Sequence, residues 1–300
     1  MIVLEAKGLT KRFGSTVALN HVDLTLEVGD PIALIGPNGA GKTTLLSLVC
    51  GFLRSTSGDL TVLGESPGSA ALHGRVAALP QDAQLDPRFS VARQLELLAR
   101  LQGQGKRDAR KDVARVLELV QLQQSSEAKP SELSHGMGKR IAIAQLLLGK
   151  PEFALLDEPT AGLDPPNVKI IRDLISATSA ETTYLISSHN LDELEKVCKT
   201  AVFLERGQLK RHMTIDELED EENSQLTLRM PSVSFDEFRE AVAQIPGVVG
   251  VDQRQQHDFI VSYDRSPAGV PDIAILQLLK DKNWNYRHLI LGKTLEDRLF

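Results

Sequence analysis

Apolar and polar residues alternate along residues 3–9 and again along residues 17–28, the period-two pattern of half-buried antiparallel strands. The run Ile32, Ala33, Leu34, Ile35 is uniformly apolar and reads as a short buried strand, and Leu45, Leu46, Leu48 and Val49 then recur at helical spacing. Residues 59–63 and 76–80 read as further short strands. A helical segment covers residues 91–122, with one stripe of Val91, Leu95, Leu98 and Leu101 and a second of Val113, Val116, Leu117 and Val120. Between the stripes, the polar, glycine-containing QGQGKRDARK reads as a loop or helix–helix corner. Another helix follows Pro130. A buried strand over 153–157, a helix over 166–178 and a strand over 183–187 complete an alternating β/α series, which predicts a parallel sheet.

Beyond residue 224 the pattern changes. A strand over 226–230, a helix over 235–243, strands over 248–253 and 258–263, a helix over 273–282 and a strand over 286–291 are expected. The order βαββαβ is the ferredoxin-like pattern. The acidic run DELEDEE at 216–222 reads as a solvated helix end or linker. The expected organisation is therefore a larger α/β domain over 1–215 with a helical subdomain at about 85–150, a linker over 216–224, and a small α+β domain over 225–300. That last domain holds no evident catalytic cluster, so a packing or regulatory role is expected of it.

Composition narrows the class. The 300 residues are 42% hydrophobic and 25% charged, as in ordinary globular proteins. The net charge of −6 disfavours nucleic acid as a partner. The two cysteines, Cys50 and Cys198, each lie on an expected apolar helix face and read as buried free thiols. The first residues reach Glu5 too soon for a signal-peptide core, and the strongly apolar stretch around 141–148 falls far short of a membrane span. Any membrane role is thus expected to come through another polypeptide.

The chemistry centres on GPNGAGKT, residues 36–43, which fits G-x-x-x-x-G-K-[ST] at Gly36, Gly41, Lys42 and Thr43. In this P-loop the backbone N–H groups of Gly36, Pro37, Asn38, Gly39, Ala40, Gly41 and the following Thr44 region, proline aside, would cradle phosphate oxygens. Lys42 can reach the terminal phosphates as a point charge, the Thr43 hydroxyl can ligate Mg²⁺, and the helix offers its positive end to the anion. A second motif, FALLDEP, ends a buried strand in Asp157 and Glu158. Asp157 suits Mg²⁺, held partly through water, and Glu158 suits proton abstraction from an attacking water.

Between these motifs lies LSHGMGKR at 133–140, which resembles the LSGGQ signature of ATP-binding cassette (ABC) proteins. Gln81 in LPQ resembles their Q-loop, AGLD at 161–164 their D-loop with Asp164, His189 in SSHN their switch histidine, and Phe13 their adenine-stacking aromatic residue. Six elements in the family's order cover about residues 1–215. The resemblance implies an antiparallel β subdomain, a mixed and mostly parallel core sheet, and a helical signature subdomain. It also implies ATP and Mg²⁺ as ligands, with Gln81 joining Thr43 and Asp157 around the metal. Alone, Gln81 would be an ordinary loop residue, Phe13 a core residue, and Ser134 an N-cap to the helix carrying Ile141, Ile143 and Leu146. This chain departs from the family at His135, where a Gly is usual, and at Met137, where a Gln is usual. Lys139 also stands where Gln is frequent. Ser134 and Gly136, whose hydroxyl and backbone face the γ-phosphate in the family, are retained.

The resemblance implies a cycle in which the signature of a facing copy, Ser134 to Met137, closes over ATP bound to the P-loop. Glu158 then polarises water, while His189 and Gln81 attend the γ-phosphate. The leading expectation is the energy-coupling subunit of a membrane transporter with separate transmembrane chains, sited at the cytoplasmic face of the inner membrane. A single cassette with a ferredoxin-like tail resembles exporter ATPases of the drug, lipid or glycoconjugate type, as does the ending KTLEDRLF. An importer, a soluble non-transport ATPase and a small-molecule kinase are the alternatives. The second ATPase subunit is expected to be an identical copy.

Overall fold

The computed structural model describes residues 1–188, 194–215, 217, 225–255, 257–264 and 271–291. The chain divides into two compact units, Met1–Met213 and Thr214–Phe300.

In the first unit, β1 (Ile2–Phe13) and β2 (Thr16–Glu27) form an antiparallel hairpin, and β4 (Ser57–Val62) pairs with the other edge of β1. Alternate residues of β2, among them Val22, Leu24 and Leu26, are buried, so one face of this sheet covers the core. A second sheet runs in the order β5 (Val76–Leu79), β6 (Phe153–Asp157), β7 (Thr183–Ser188), β3 (Ile32–Ile35), β8 (Thr200–Glu205), β9 (Gln208–Thr214). The pairs β5–β6, β6–β7, β7–β3 and β3–β8 are parallel. Every residue of β3, β6 and β7 is buried, as expected for strands covered on both faces. Parallel pairing puts the carboxyl ends of β3, β6 and β7 on one edge of the sheet, where ligands of open α/β sheets bind. Helix α1 (Lys42–Val49) leaves that edge directly after β3.

The helical part comprises α2 (Val91–Leu101), α3 (Lys106–Leu119) and α4 (His135–Leu146). The expected loop over 102–111 is much shorter than that reading, because α3 starts at Lys106. Gly105 ends the turn, and KRDARK is composed of good helix formers with Asp108 in the first turn, where the helix dipole favours an acid. Its polarity marks a solvated helix face, with Ala109 and Val113 buried beneath. Asp112 ties α3 to the end of α4. It accepts from Gln104 Nε2 at 2.8 Å, from the Gly149 N–H at 2.7 Å and from Arg115 Nη2 at 2.6 Å. Helix α5 (Pro165–Thr178) follows β6. Strands β8 and β9 were not expected from the sequence.

Cys198 is buried, but it follows a turn instead of lying within a described helix, and Cys50 at the end of α1 is only half-buried. Burial pushes both thiols up to about 12.

The second unit carries β10 (Gln225–Arg229), α6 (Phe235–Val242), β11 (Val248–Gln255), β12 (Asp258–Tyr263), α7 (Pro271–Asp281) and β13 (His288–Leu291). Its sheet order is β11-β12-β10-β13 with antiparallel neighbours. Leu226, Leu228, Phe238, Phe259, Val261 and Ile275 form its core, and the rings of Phe238 and Phe259 stack at 4.9 Å. Of the acidic run, only Glu217 is described. It accepts from the Thr214 N–H at 2.8 Å while Thr214 Oγ1 accepts from the Glu217 N–H at 3.2 Å, the reciprocal bonds of a capping box. The ending at 293–300 lies outside the described residues.

Candidate functional site

The loop from Gly36 to Gly41 is packed so tightly that two of its glycines admit no side chain. A methyl group on Gly36 would sit 2.2 Å from the Leu204 carbonyl oxygen, and one on Gly41 2.6 Å from that of Ala18. Gly41 also has φ 106°, a left-handed conformation that suits glycine, and it precedes the first turn of α1. The ends of β2 and β8 thus clamp the loop backbone into a fixed shape. Lys42 folds across it, its Nζ donating to the Gly36 carbonyl at 2.6 Å. Burial holds the Lys42 ammonium below the ordinary lysine range, against the opposing pull of Glu158 and Asp157.

Thr43 Oγ1 donates to Asp157 Oδ2 at 2.8 Å, joining the P-loop helix to the end of β6. Ser187, paired with Asp157 in the β6–β7 register, donates its hydroxyl to the other carboxylate oxygen. The chain turns sharply at Glu158, whose φ of 49° is unusual for a residue with a side chain. The Glu158 N–H donates to Ser187 Oγ at 3.1 Å and to the Ser187 carbonyl at 3.2 Å. Both acids are buried. A cleft of about 250 Å³ brings together residues 37–44, Gln81, Asp157 and Glu158, with Thr16, Val17 and Ala18 from β2. The fixed glycine loop fits a polyphosphate, and the joined Thr43 hydroxyl and Asp157 carboxylate are the oxygen donors that Mg²⁺ prefers.

Ser134 is the N-cap of α4, its Oγ accepting from the Met137 N–H at 3.3 Å. Ser134 and His135 are exposed, and they line a second cleft of about 480 Å³ with Gln81, Asp82, Lys139 and Ala161. Gln81 lines both clefts. Lys139 Nζ donates to the Gln81 carbonyl at 3.0 Å. Burial lowers the Lys139 ammonium, opposed by Asp82, Asp157 and Glu158. Gly136 is buried against the Asn167 side chain, which donates to Asp164, the N-cap of α5. The departure at His135 is accommodated beside the D-loop: a methyl on Gly162 would lie 3.7 Å from His135 Cε1.

Phe13, the last residue of β1, is about half exposed, and Lys11 Nζ lies 5.0 Å from its ring centroid. Phe13 is absent from the residues that line the P-loop cleft. His189 lies outside the described residues. Three contributors were not singled out from the sequence: Ser187, Asn167 and the contact of Lys139 with Gln81. Ser187 was visible only as the neighbour of Ser188 in SSHN, and its role depends on parallel register.

A family described as ABC transporter matches residues 19–161. A Burkholderia orbicola (strain AU 1054) protein, Nod factor export ATP-binding protein I, is 35% identical over 207 residues, covering 68% of each chain. YhaQ of Bacillus subtilis (strain 168), an uncharacterized ABC transporter ATP-binding protein, is 35% identical over 68% of this chain and 69% of its own. A solved ATP-binding subunit of an ABC transporter superposes with a TM-score of 0.66 at 25% identity, over 73% of this chain and 92% of that one. The dimeric post-hydrolysis ATP-binding cassette MJ0796, bound to ADP and Pi, shares the fold with a TM-score of 0.65 at 22% identity, over 71% and 98% of the two chains.

Proposed function

Because this chain belongs to the ATP-binding cassette transporter family and is an ATPase, we propose that it powers an exporter, driving separate transmembrane chains through ATP-dependent closing and opening of two identical cassettes. The observation that carries the reading is the meeting of Lys42, Thr43, Asp157 and Glu158 in one cleft at the carboxyl edge of the sheet. In this reading the loop amides and Lys42 bind the phosphates of ATP and Phe13 stacks on its base. Thr43, Asp157 and Gln81 would hold Mg²⁺, which supplies neutralising charge to the phosphates. Glu158 accepts a proton from water as the water oxygen bonds to the terminal phosphorus and the bond to the ADP oxygen breaks. His189 and the D-loop residue Asp164 complete the set. Ser134, His135, Gly136 and Met137 of the facing copy close over the γ-phosphate, and the exposure of the Ser134 tip at a helix N-terminus supports that part.

Among the described residues no helix is long and apolar enough to cross a membrane. A groove of about 640 Å³ between α1 and α2, lined in part by Phe52, Leu72, Leu98 and Leu101, supports docking of a membrane chain. Phe52 and Leu101 are each 75% exposed there, an apolar surface that a partner would cover. The protein would then be peripheral, at the cytoplasmic face. The export assignment draws on the Nod factor export relatives. The second unit, with its βαββαβ order and antiparallel sheet, is read as ferredoxin-like and regulatory.

Glu158→Gln tests the reading. It should lower hydrolysis about a thousandfold while ATP still binds and holds two copies together in size-exclusion chromatography. Normal hydrolysis by this variant would remove the base assignment. Purification from detergent without any multi-span chain would count against transport.

A further inference from the structure

One contact joins the two clefts. Lys139 stands on α4 after the signature, and its Nζ donates to the main-chain carbonyl of Gln81 at 3.0 Å, across 58 residues of sequence. Gln81 lies just beyond β5, at the start of the segment that leads to α2. It is the residue common to the linings of the P-loop cleft and the signature cleft. Beside it, Asp82, Asp157 and Glu158 all attract the Lys139 ammonium. Helix α4 is itself anchored by buried Ile141, Ile143 and Leu146, so the amine projects from a fixed base. A backbone carbonyl held by a charged donor is restrained more firmly than one held by a neutral group.

We propose that Lys139 is a positioning residue for ATP hydrolysis: by gripping the Gln81 carbonyl it makes the placement of Gln81 at the P-loop cleft depend on the placement of the signature helix. The Gln frequent at this position in the family would offer a neutral amide on a shorter stem, whereas Lys139 offers a charged donor that reaches the Gln81 carbonyl. The inference rests on the proposed role of the Asp157–Glu158 cleft as the hydrolytic site.

The test uses the full chain with Lys139→Met and Lys139→Arg. Lys139→Met should lower kcat about tenfold with KM for ATP changed less than about twofold, and Lys139→Arg should restore at least about half of the rate. Independently, hydrogen–deuterium exchange of nucleotide-free protein should show the amides of residues 81–85 exchanging about tenfold faster in Lys139→Met and near normal in Lys139→Arg. Unchanged kcat in Lys139→Met overturns the proposal. So does a lowered kcat with unchanged exchange at 81–85, because the lysine would then act elsewhere. An unaltered chain that fails to hydrolyse ATP would sink the hydrolytic reading itself, while the exchange comparison would still judge whether Lys139 restrains Gln81.

Discussion

The hydroxyl of Ser187 donates to one carboxylate oxygen of Asp157, and the same Ser187 oxygen accepts the main-chain N–H of Glu158 at 3.1 Å. One fully buried side chain on β7 therefore orients both acids at the end of β6. With Thr43 on the other Asp157 oxygen, the carboxylate is held from two sides.

Ser187→Ala removes both bonds and leaves a buried carboxylate oxygen short of a donor. It should destabilise the protein by about 2 kcal/mol and slow hydrolysis about tenfold. Thermal melting and steady-state ATPase assays check this, and an unaltered rate with an unaltered melting temperature would refute the orienting role.

Gly36→Ala places a methyl group 2.2 Å from a backbone oxygen, that of Leu204, which cannot swing aside. Helix and loop must shift instead, at about 1–3 kcal/mol. Nucleotide binding, followed by titration calorimetry, should be lost. Affinity within twofold of the unaltered chain would show that the loop is softer than its packing indicates.

Gly136→Ala behaves differently, because its obstacle at 2.4 Å is the side-chain amide of Asn167. Alanine gains about 1 kcal/mol of helix propensity, but displacing the amide costs its bond to Asp164, also about 1 kcal/mol. Chemical denaturation should find the single variant near neutral. In an Asn167→Ala background the same change should stabilise by about 1 kcal/mol. Equal effects in both backgrounds would show the two residues to be uncoupled.

Asp112 predicts an acid dependence. Burial pushes its carboxyl upward, but hydrogen bonds from Gln104, the Gly149 N–H and Arg115 outweigh it and hold the group below its ordinary value of 3.8. A depressed folded-state value gives stability that is present above 3.8 and lost as pH falls through the folded value. The melting-temperature gap between the unaltered chain and Asp112→Asn should thus be constant near neutrality and shrink as the pH falls below 3.8. A gap independent of pH would remove the ionic contribution.

The polar stretch that opens α3 shows where local reading misleads. KRDARK has loop-like hydrophilicity, yet its residues favour helix, and its own Ala109 and the nearby Val113 are buried. A polar window records a solvated face and cannot by itself distinguish helix from coil. Strand β9 is the opposite case. Five of its seven residues are exposed and the other two only half-buried, so period-two contrast is weak, and pairing at the edge beside β8 defines it.

Linear order determined the parts that depend on neighbours along the chain: the uniformly apolar β3, the glycine loop leading into α1, the serine cap of α4 and the acids closing β6. Each is a local matter of side-chain size, backbone freedom or hydrophobic period. Contacts between distant segments were decided only by the folded sheet. Parallel register brings Ser187 to Asp157, and helix packing brings Lys139 to Gln81 and Asn167 to Gly136. These pairs lie far apart in sequence, where no periodicity couples them, and only packing of the folded chain brings them into contact.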